Sequence, residues 1–152
     1  MRFLDFYPHG VYRDMTNEEK AWFAGIIDGE GCLTCGYRSD NRGIRLSLSL
    51  EMTHKPTIDK IKMWIPNMGY YRRVRKVGKT GWRIELRNKQ AVPIVEMLCP
   101  YLITKREEAN IWLLLADTVT NGGPNHKITE TIKQKRTKLM SQLRALKRID
   151  FT

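Results

Sequence analysis

The chain has 152 residues, 41% hydrophobic and 28% charged, which is enough for one domain with its own core. Its 27 Lys and Arg residues outnumber its 16 Asp and Glu residues, and the formal net charge of +11 indicates a polyanionic partner. No apolar run is long enough to span a membrane and residues 1–10 lack a signal-peptide core, so the composition argues against a membrane or secreted protein.

The first predicted helix follows Thr16, because Thr16 and Glu19 have the spacing of a capping box. Ala21, Gly25 and Gly29 then recur every four residues and lie on one face of this helix. Small residues at this spacing let a second backbone approach closely. The energy of that contact would offset the low helix propensity of the two glycines. This face is therefore a candidate helix–helix contact.

The same helix ends near two carboxylates, Asp28 and Glu30. A carboxylate at a helix C-terminus lies at the negative end of the helix dipole, where it is unfavourable. If the partner helix is a second copy, acids from both copies would be close together. Mg²⁺, which prefers oxygen ligands, is the cation that best suits such a cluster.

Two strands follow, separated by the turn-forming residues 39–43. The second is the clearer, since its apolar and polar residues alternate strictly from residue 45 to residue 53. Such alternation is typical of an antiparallel strand with one covered face and one open face. Later segments predict a helix at 57–64, a hairpin of strands 69–77 and 82–87 around a turn at 78–81, and helices at 89–98, 104–119 and 129–148.

The order α-ββ-α-ββ-α-α-α predicts an α+β fold with a four-stranded antiparallel sheet and helices on one face. We expect a single domain over residues 1–152, with a core of about 16–120 and a basic helical extension of about 124–152. The cations of that extension either bind DNA phosphates or face solvent. They are Lys133, Lys135, Arg136, Lys138, Arg144, Lys147 and Arg148.

The open face of the predicted sheet mixes cations, hydroxyls and acids. Such side chains can read base edges and neutralise phosphates, although cross-strand ion pairs on a solvated face are the alternative. The hairpin strand at 69–77 has arginines at both odd and even positions, so its sequence does not show which residues face the core. The candidate DNA-binding residues are Thr34, Arg38, Arg42, Arg45, Ser47, Ser49, Glu51, Arg72, Arg75, Lys76, Arg83, Glu85 and Arg87.

Three cysteines, Cys32, Cys35 and Cys99, form no even disulfide framework, which suits a reducing compartment. The C-x-x-C spacing of the first two lacks the second pair that a zinc site needs. On a strand these two residues point to opposite faces, so Cys35 is expected in the core.

Residues 23–31, FAGIIDGEG, resemble the signature of the LAGLIDADG homing endonucleases, and the likeness extends over roughly residues 17–118. Ala24, Gly25, Ile27, Asp28 and Gly31 match its letters, and Glu30 stands where the family has its metal-binding acid. The resemblance implies an αββαββα core whose sheet straddles the DNA major groove.

The resemblance also implies the site residues. Glu30 and the Gly29 carbonyl would bind Mg²⁺, with about two or three ions per dimer and Mn²⁺ or Ca²⁺ as substitutes for binding. Lys105 corresponds to the family's pocket lysine, which would polarise water or stabilise the transition state. His54 falls where the family has a water-positioning residue, and a structural role is an equal alternative.

Since one signature is present, the resemblance implies the homodimeric members, with Ala21, Ala24, Gly25 and Asp28 at the interface. Each copy would cover about 10 bp, and the dimer a pseudo-palindrome of about 20 bp. The implied function is a Mg²⁺-dependent homing endonuclease encoded by a mobile element. A non-cleaving intron maturase or DNA-binding regulator is the alternative. We expect an intracellular protein, either in a bacterial, archaeal or phage-infected cytoplasm or in an organelle.

Overall fold

The computed structural model describes residues 12–39, 43–66, 70–76, 78–120 and 128–148. Its elements follow the predicted order, with ends that differ by a few residues. They are α1 (Asn17–Glu30), β1 (Gly31–Tyr37), β2 (Ile44–Met52), α2 (Lys55–Trp64), β3 (Tyr70–Lys76), β4 (Lys79–Arg87), α3 (Ala91–Leu98), a short 3₁₀ segment (Cys99–Tyr101), α4 (Arg106–Thr120) and α5 (Glu130–Arg148).

The strands form one antiparallel sheet in the order β1-β2-β4-β3, which confirms the predicted α+β class. Leu33 pairs with Leu48, and Leu48 with Leu86, so the alternating leucines share one face. Helices α1 to α4 cover that face, and buried Phe23 and Trp112 fill the space between the layers. On the opposite face Cys32, Thr34 and Arg45 are exposed, whereas Ser47 is buried.

The β3–β4 hairpin is tighter than the turn predicted at residues 78–81. Lys76 pairs with Lys79, so β4 already begins within the predicted turn. Gly78 has a φ of 77°, a left-handed conformation that glycine adopts without the strain of a Cβ. The register also determines which residues of β3 share a face with the core residues of β4, which the arginine-rich sequence did not show.

The ends of α1 follow from its sequence. At its start the Thr16 side chain accepts from the Glu19 N–H, and the Glu19 carboxylate accepts from the Thr16 N–H, which confirms the capping box. At its end Gly31 donates to the Ile27 carbonyl and turns directly into β1. A Cβ on Gly31 would lie 2.8 Å from the Ile27 oxygen, so a side chain at this position would force the helix and strand apart.

Gly31→Ala is therefore expected to lower the free energy of unfolding by about 1–3 kcal/mol, the usual cost of forcing extra atoms into a packed site. Chemical denaturation followed by circular dichroism measures it. Gly36→Ala is the matched control, because a Cβ on this other β1 glycine would meet no atom within 4 Å. Equal losses in the two variants would contradict the proposed close approach.

The C-terminal helix α5 packs against α4 through buried Leu139, Met140 and Leu143. Arg136, only 5% exposed, donates from Nε to the Thr118 hydroxyl at 2.9 Å and from Nη2 to the Thr118 carbonyl at 3.2 Å. Burial lowers the pKa of this guanidinium, and its position at the negative end of α4 favours the charge. Arg136 thus links α5 to α4 inside the protein, which contradicts both alternatives raised from the sequence, phosphate binding and exposure to solvent.

No helix in the ranges that the structure describes combines the length and the apolar character needed to cross a membrane.

Candidate nucleic-acid interface and active site

The strand register places the predicted polar residues of β1, β2 and β4 on the face opposite the helices. Ser47 pairs with Thr34 on one side and with Arg87 on the other, and Glu51 pairs with Arg83. The following residues of these strands share this open face: Cys32, Thr34, Arg45, Ser47, Ser49, Glu51, Arg83, Glu85 and Arg87. Ser47 is only 6% exposed, because strands on both sides cover its short side chain, so it has little surface for a DNA contact and its assignment is corrected. Cys32 was not among the predicted members, although its even position in β1 requires this face.

Ion pairs hold part of the open face in place. Arg83 Nη1 lies 3.6 Å from Glu51 Oε2 across the β2–β4 pair, and Arg87 Nε lies 3.1 Å from Glu85 Oε1. Arg83 Nε is shielded from solvent yet has no hydrogen-bond partner, so this donor is left unsatisfied within the described chain. The face therefore combines the ion pairs of a solvated sheet with one buried guanidinium N–H that has no partner within the described chain.

Strand β3 distributes its arginines over both faces. Its register sets Arg72 opposite Arg83 on the open face. Exposed Arg75 instead lies opposite Thr80, which is on the same face of β4 as Trp82. Arg75 is thus placed on the helix-bearing side of the sheet, which corrects its inclusion among the residues of the DNA face. Lys76 stands opposite Lys79 beside the hairpin turn, and Arg42 lies outside the described residues.

An open cleft of about 350 Å³ lies where α1 ends and the sheet begins. Glu30 and His54 both line this cleft, and the roles that the resemblance gives them stay predictions. Its lining residues are Glu30, Glu51, Met52, Thr53, His54, Lys79 and Gly81. Lys79 was not predicted to line this cleft, because the sequence suggested that it lies in a turn. The tighter hairpin places it at the start of β4.

His54 has a structural contact as well as its place in the cleft. It occupies the N-cap position of α2, and its Nδ1 lies 2.7 Å from the Thr57 hydroxyl. Using Nδ1 in this way leaves Nε2 as the ring nitrogen for a bound water. Both alternatives raised from the sequence are therefore compatible with the geometry.

A reciprocal clamp joins the end of α1 to the segment before α4. The Asp28 carboxylate accepts from the backbone N–H groups of Ile103 and Lys105, each at 2.9 Å. In return, Lys105 Nζ donates to the Asp28 carbonyl at 2.7 Å. The ammonium thus lies at the negative end of α1, two residues before Glu30, where the dipole favours a cation. Asp28 fills an intrachain role that the sequence did not predict.

The exposed side of α1 is the face predicted to contact a second helix. Ala21, Gly25 and Gly29 are all exposed, and a Cβ on either glycine would meet no atom within 4 Å. No neighbour in the described chain therefore accounts for these glycines. Ala24 is 0% exposed in the chain's own core, so it has no surface for a partner and its assignment to the interface is corrected.

The C-x-x-C pair does not form a site. Cys32 is exposed on the open face, whereas Cys35 points toward the helices, as the strand spacing predicted. Burial raises the pKa of the Cys35 thiol to about 11, outweighing the opposite effect of Arg136 and Arg144. Within the described ranges, no group of three or more His, Cys, Asp or Glu residues could hold a metal ion.

Comparisons with known proteins place this geometry in one fold. Neither the protein-family models nor the curated proteins contain a match. Among solved structures, the archaeal intron-encoded homing endonuclease I-Vdi141I complexed with DNA is 16% identical, with a TM-score of 0.63 over 89% of this chain and 87% of that one. The homing endonuclease I-CvuI, in complex with the I-CreI target and Mg, is 25% identical, with a TM-score of 0.50 over 80% and 94%.

The LAGLIDADG homing endonuclease I-LtrWI bound to target DNA is 20% identical, with a TM-score of 0.62. The alignment covers 86% of this chain but only 45% of that one. Matches of about half a structure stand beside matches of nearly a whole one, so the fold occurs in both shorter and longer proteins. The chain has the fold of the LAGLIDADG homing endonucleases.

Proposed function

We propose that the protein is a sequence-specific endonuclease of double-stranded DNA that acts as a homodimer. The observation that carries the proposal is Glu30: an exposed carboxylate at the negative end of α1, beside the end of a cation-bearing sheet face. No residue of the described chain forms an ion pair with it, so an external cation is the natural counter-charge. DNA complexes of proteins with this fold support the same assignment.

Mg²⁺ is the cofactor that we propose, with Mn²⁺ or Ca²⁺ substituting in binding. Glu30 and the Gly29 carbonyl fit it, because Mg²⁺ prefers oxygen ligands and the last carbonyls of a helix lack intrahelical partners. Since the described residues contain no complete ligand cluster, the other ligands would come from the second copy, DNA phosphates and water. When bound, the ion would lower the pKa of a coordinated water and stabilise the leaving oxygen.

The chain's own groups prepare this reaction. Lys105 places a positive charge at the helix end, where it can stabilise the charge that develops on the scissile phosphate. His54 can orient a water through Nε2, because Nδ1 is held by Thr57. The open face supplies phosphate contacts and base-edge contacts, and the exposed α1 face supplies the two-fold axis.

Cleavage of a randomised duplex library, with Mg²⁺ or with EDTA, tests this function. We expect Mg²⁺-dependent cuts that cluster at one pseudo-palindrome of about 20 bp, since two domains of this size side by side cover that length. Sequencing the cut ends measures both the site and its symmetry. Selective retention of duplexes or structured RNA without any cleavage would refute the nuclease and favour a non-cleaving binder.

A further inference from the structure

Helix α5 has a fixed position beside the sheet. In the first half of the helix, the Thr137 hydroxyl lies 2.8 Å from the Tyr37 hydroxyl, where β1 ends. Near the C-terminus of the helix, Lys147 Nζ donates to the Leu33 carbonyl in the first half of β1. The higher-numbered residue of α5 thus contacts the lower-numbered residue of β1, so α5 runs antiparallel to β1 between these two contacts.

The contact at Lys147 extends to the open face of the sheet. Lys147 Nζ lies 3.7 Å from the sulfur of Cys32, and Cys32 pairs with Ser49 on that face. The ammonium therefore reaches around the strand to the rim of the proposed DNA surface. This end of α5 is also the end nearer to the α1–β1 junction and Glu30.

The exposed cations of α5 form two stripes. At 3.6 residues per turn, one stripe falls within about 60° on the side of Thr137, and a second of similar width lies on the opposite flank. The first, here called the β1-side stripe, consists of Lys133, Arg144 and Arg148; the second consists of Lys135 and Lys138.

The β1-side stripe is free for a partner. Glu130, in the first turn, is the single acidic residue of α5. Within the described chain the side chains of Lys133, Arg144 and Arg148 form no ion pair. Arg144 and Arg148 are about 6 Å apart along the helix axis, a separation comparable to that of neighbouring phosphates on one strand.

We propose that the β1-side stripe is a second phosphate-binding surface, continuous with the open face, that holds the sugar–phosphate backbone of the duplex lying on the sheet. The inference rests on the proposed function, in which the open face binds DNA. Phosphate contacts of this kind add affinity and orientation without sequence information. The stripe would thus strengthen binding to every duplex by the same factor.

Two double variants of the same helix test this surface: Arg144→Gln with Arg148→Gln, and Lys135→Gln with Lys138→Gln as the control. Each removes two charges from exposed positions of α5. The probe is a labelled duplex of mixed sequence in EDTA, and the readout is Kd as a function of NaCl concentration. The β1-side variant should bind about tenfold more weakly. The slope of log Kd against log NaCl concentration should also fall by about 1.8, since each phosphate contact contributes about 0.9 to it. The control should stay within about threefold of the wild type.

Equal weakening in both variants would indicate a general effect of net charge and overturn the proposal. No weakening in either would show that the stripe faces only solvent, and would overturn it too. Both results leave the proposed function standing, whereas a wild-type chain that binds no duplex refutes the function and the stripe together. Circular dichroism verifies that the variants are folded.

Discussion

Replacing Glu30 with Gln is expected to slow DNA cleavage by about a thousandfold or more, which corresponds to about 4 kcal/mol of transition-state stabilisation. The amide keeps the size of the side chain but removes the charge that would hold Mg²⁺. DNA affinity should stay within about tenfold, because phosphate contacts on the sheet supply most of it. Single-turnover cleavage and equilibrium binding to the site recovered from the duplex library measure the two effects separately.

Stability gives this variant an internal check. Glu30 is an exposed carboxylate at the negative end of α1, so the substitution should raise the free energy of unfolding by about 0.3–1 kcal/mol. An inactive but more stable variant rules out loss of folding as the cause. Glu18→Gln is the matched control, because Glu18 is exposed in the first turn of the same helix. Residual nicking by the Glu30 variant at the wild-type rate would refute the metal assignment.

Gly25→Leu is expected to convert the homodimer into monomers of 17.8 kDa while leaving each chain folded. A Cβ at this position meets no atom within 4 Å in the chain itself, so any obstruction must come from outside it. Leucine is also the better helix former by about 0.8 kcal/mol, which should stabilise the isolated chain. Sedimentation velocity measures the mass, and denaturant unfolding of the monomer measures its stability.

The control for this variant is Ala145→Leu, which adds similar apolar bulk to an exposed position of α5. It should leave the mass unchanged. A Gly25 variant that sediments as the wild type does would exclude the exposed α1 face as the interface. A wild-type chain that is monomeric at all concentrations would refute the homodimer itself.

Local patterns in the sequence were sufficient for much of the fold. The capping box at Thr16 and the alternation along β2 each depend on neighbours a few residues apart, and the structure confirms both. The placement of Glu51 and Arg83 on the same face of the sheet also followed from alternation along the strands. Such features can be predicted because the interactions that produce them are short-range.

Features that depend on distant parts of the chain could not be predicted in this way. The partners of Asp28 are 75 and 77 residues away, so its carboxylate was interpreted as unfavourable at a helix end and assigned to the dimer interface. Arg136 was grouped with surface cations because its partner, Thr118, lies on another helix. The place of Arg75 depended on a hairpin register that its arginine-rich strand does not encode.

The bond from Lys147 to the Leu33 carbonyl has a consequence for the strand it contacts. β1 is the outermost strand on its side of the sheet, and an outer strand with free carbonyls is a template for pairing with another chain. A lysine bound to that strand blocks edge-to-edge pairing. In a protein whose copies are proposed to meet through α1, such protection would keep self-association on the helix and prevent growth of the sheet into aggregates.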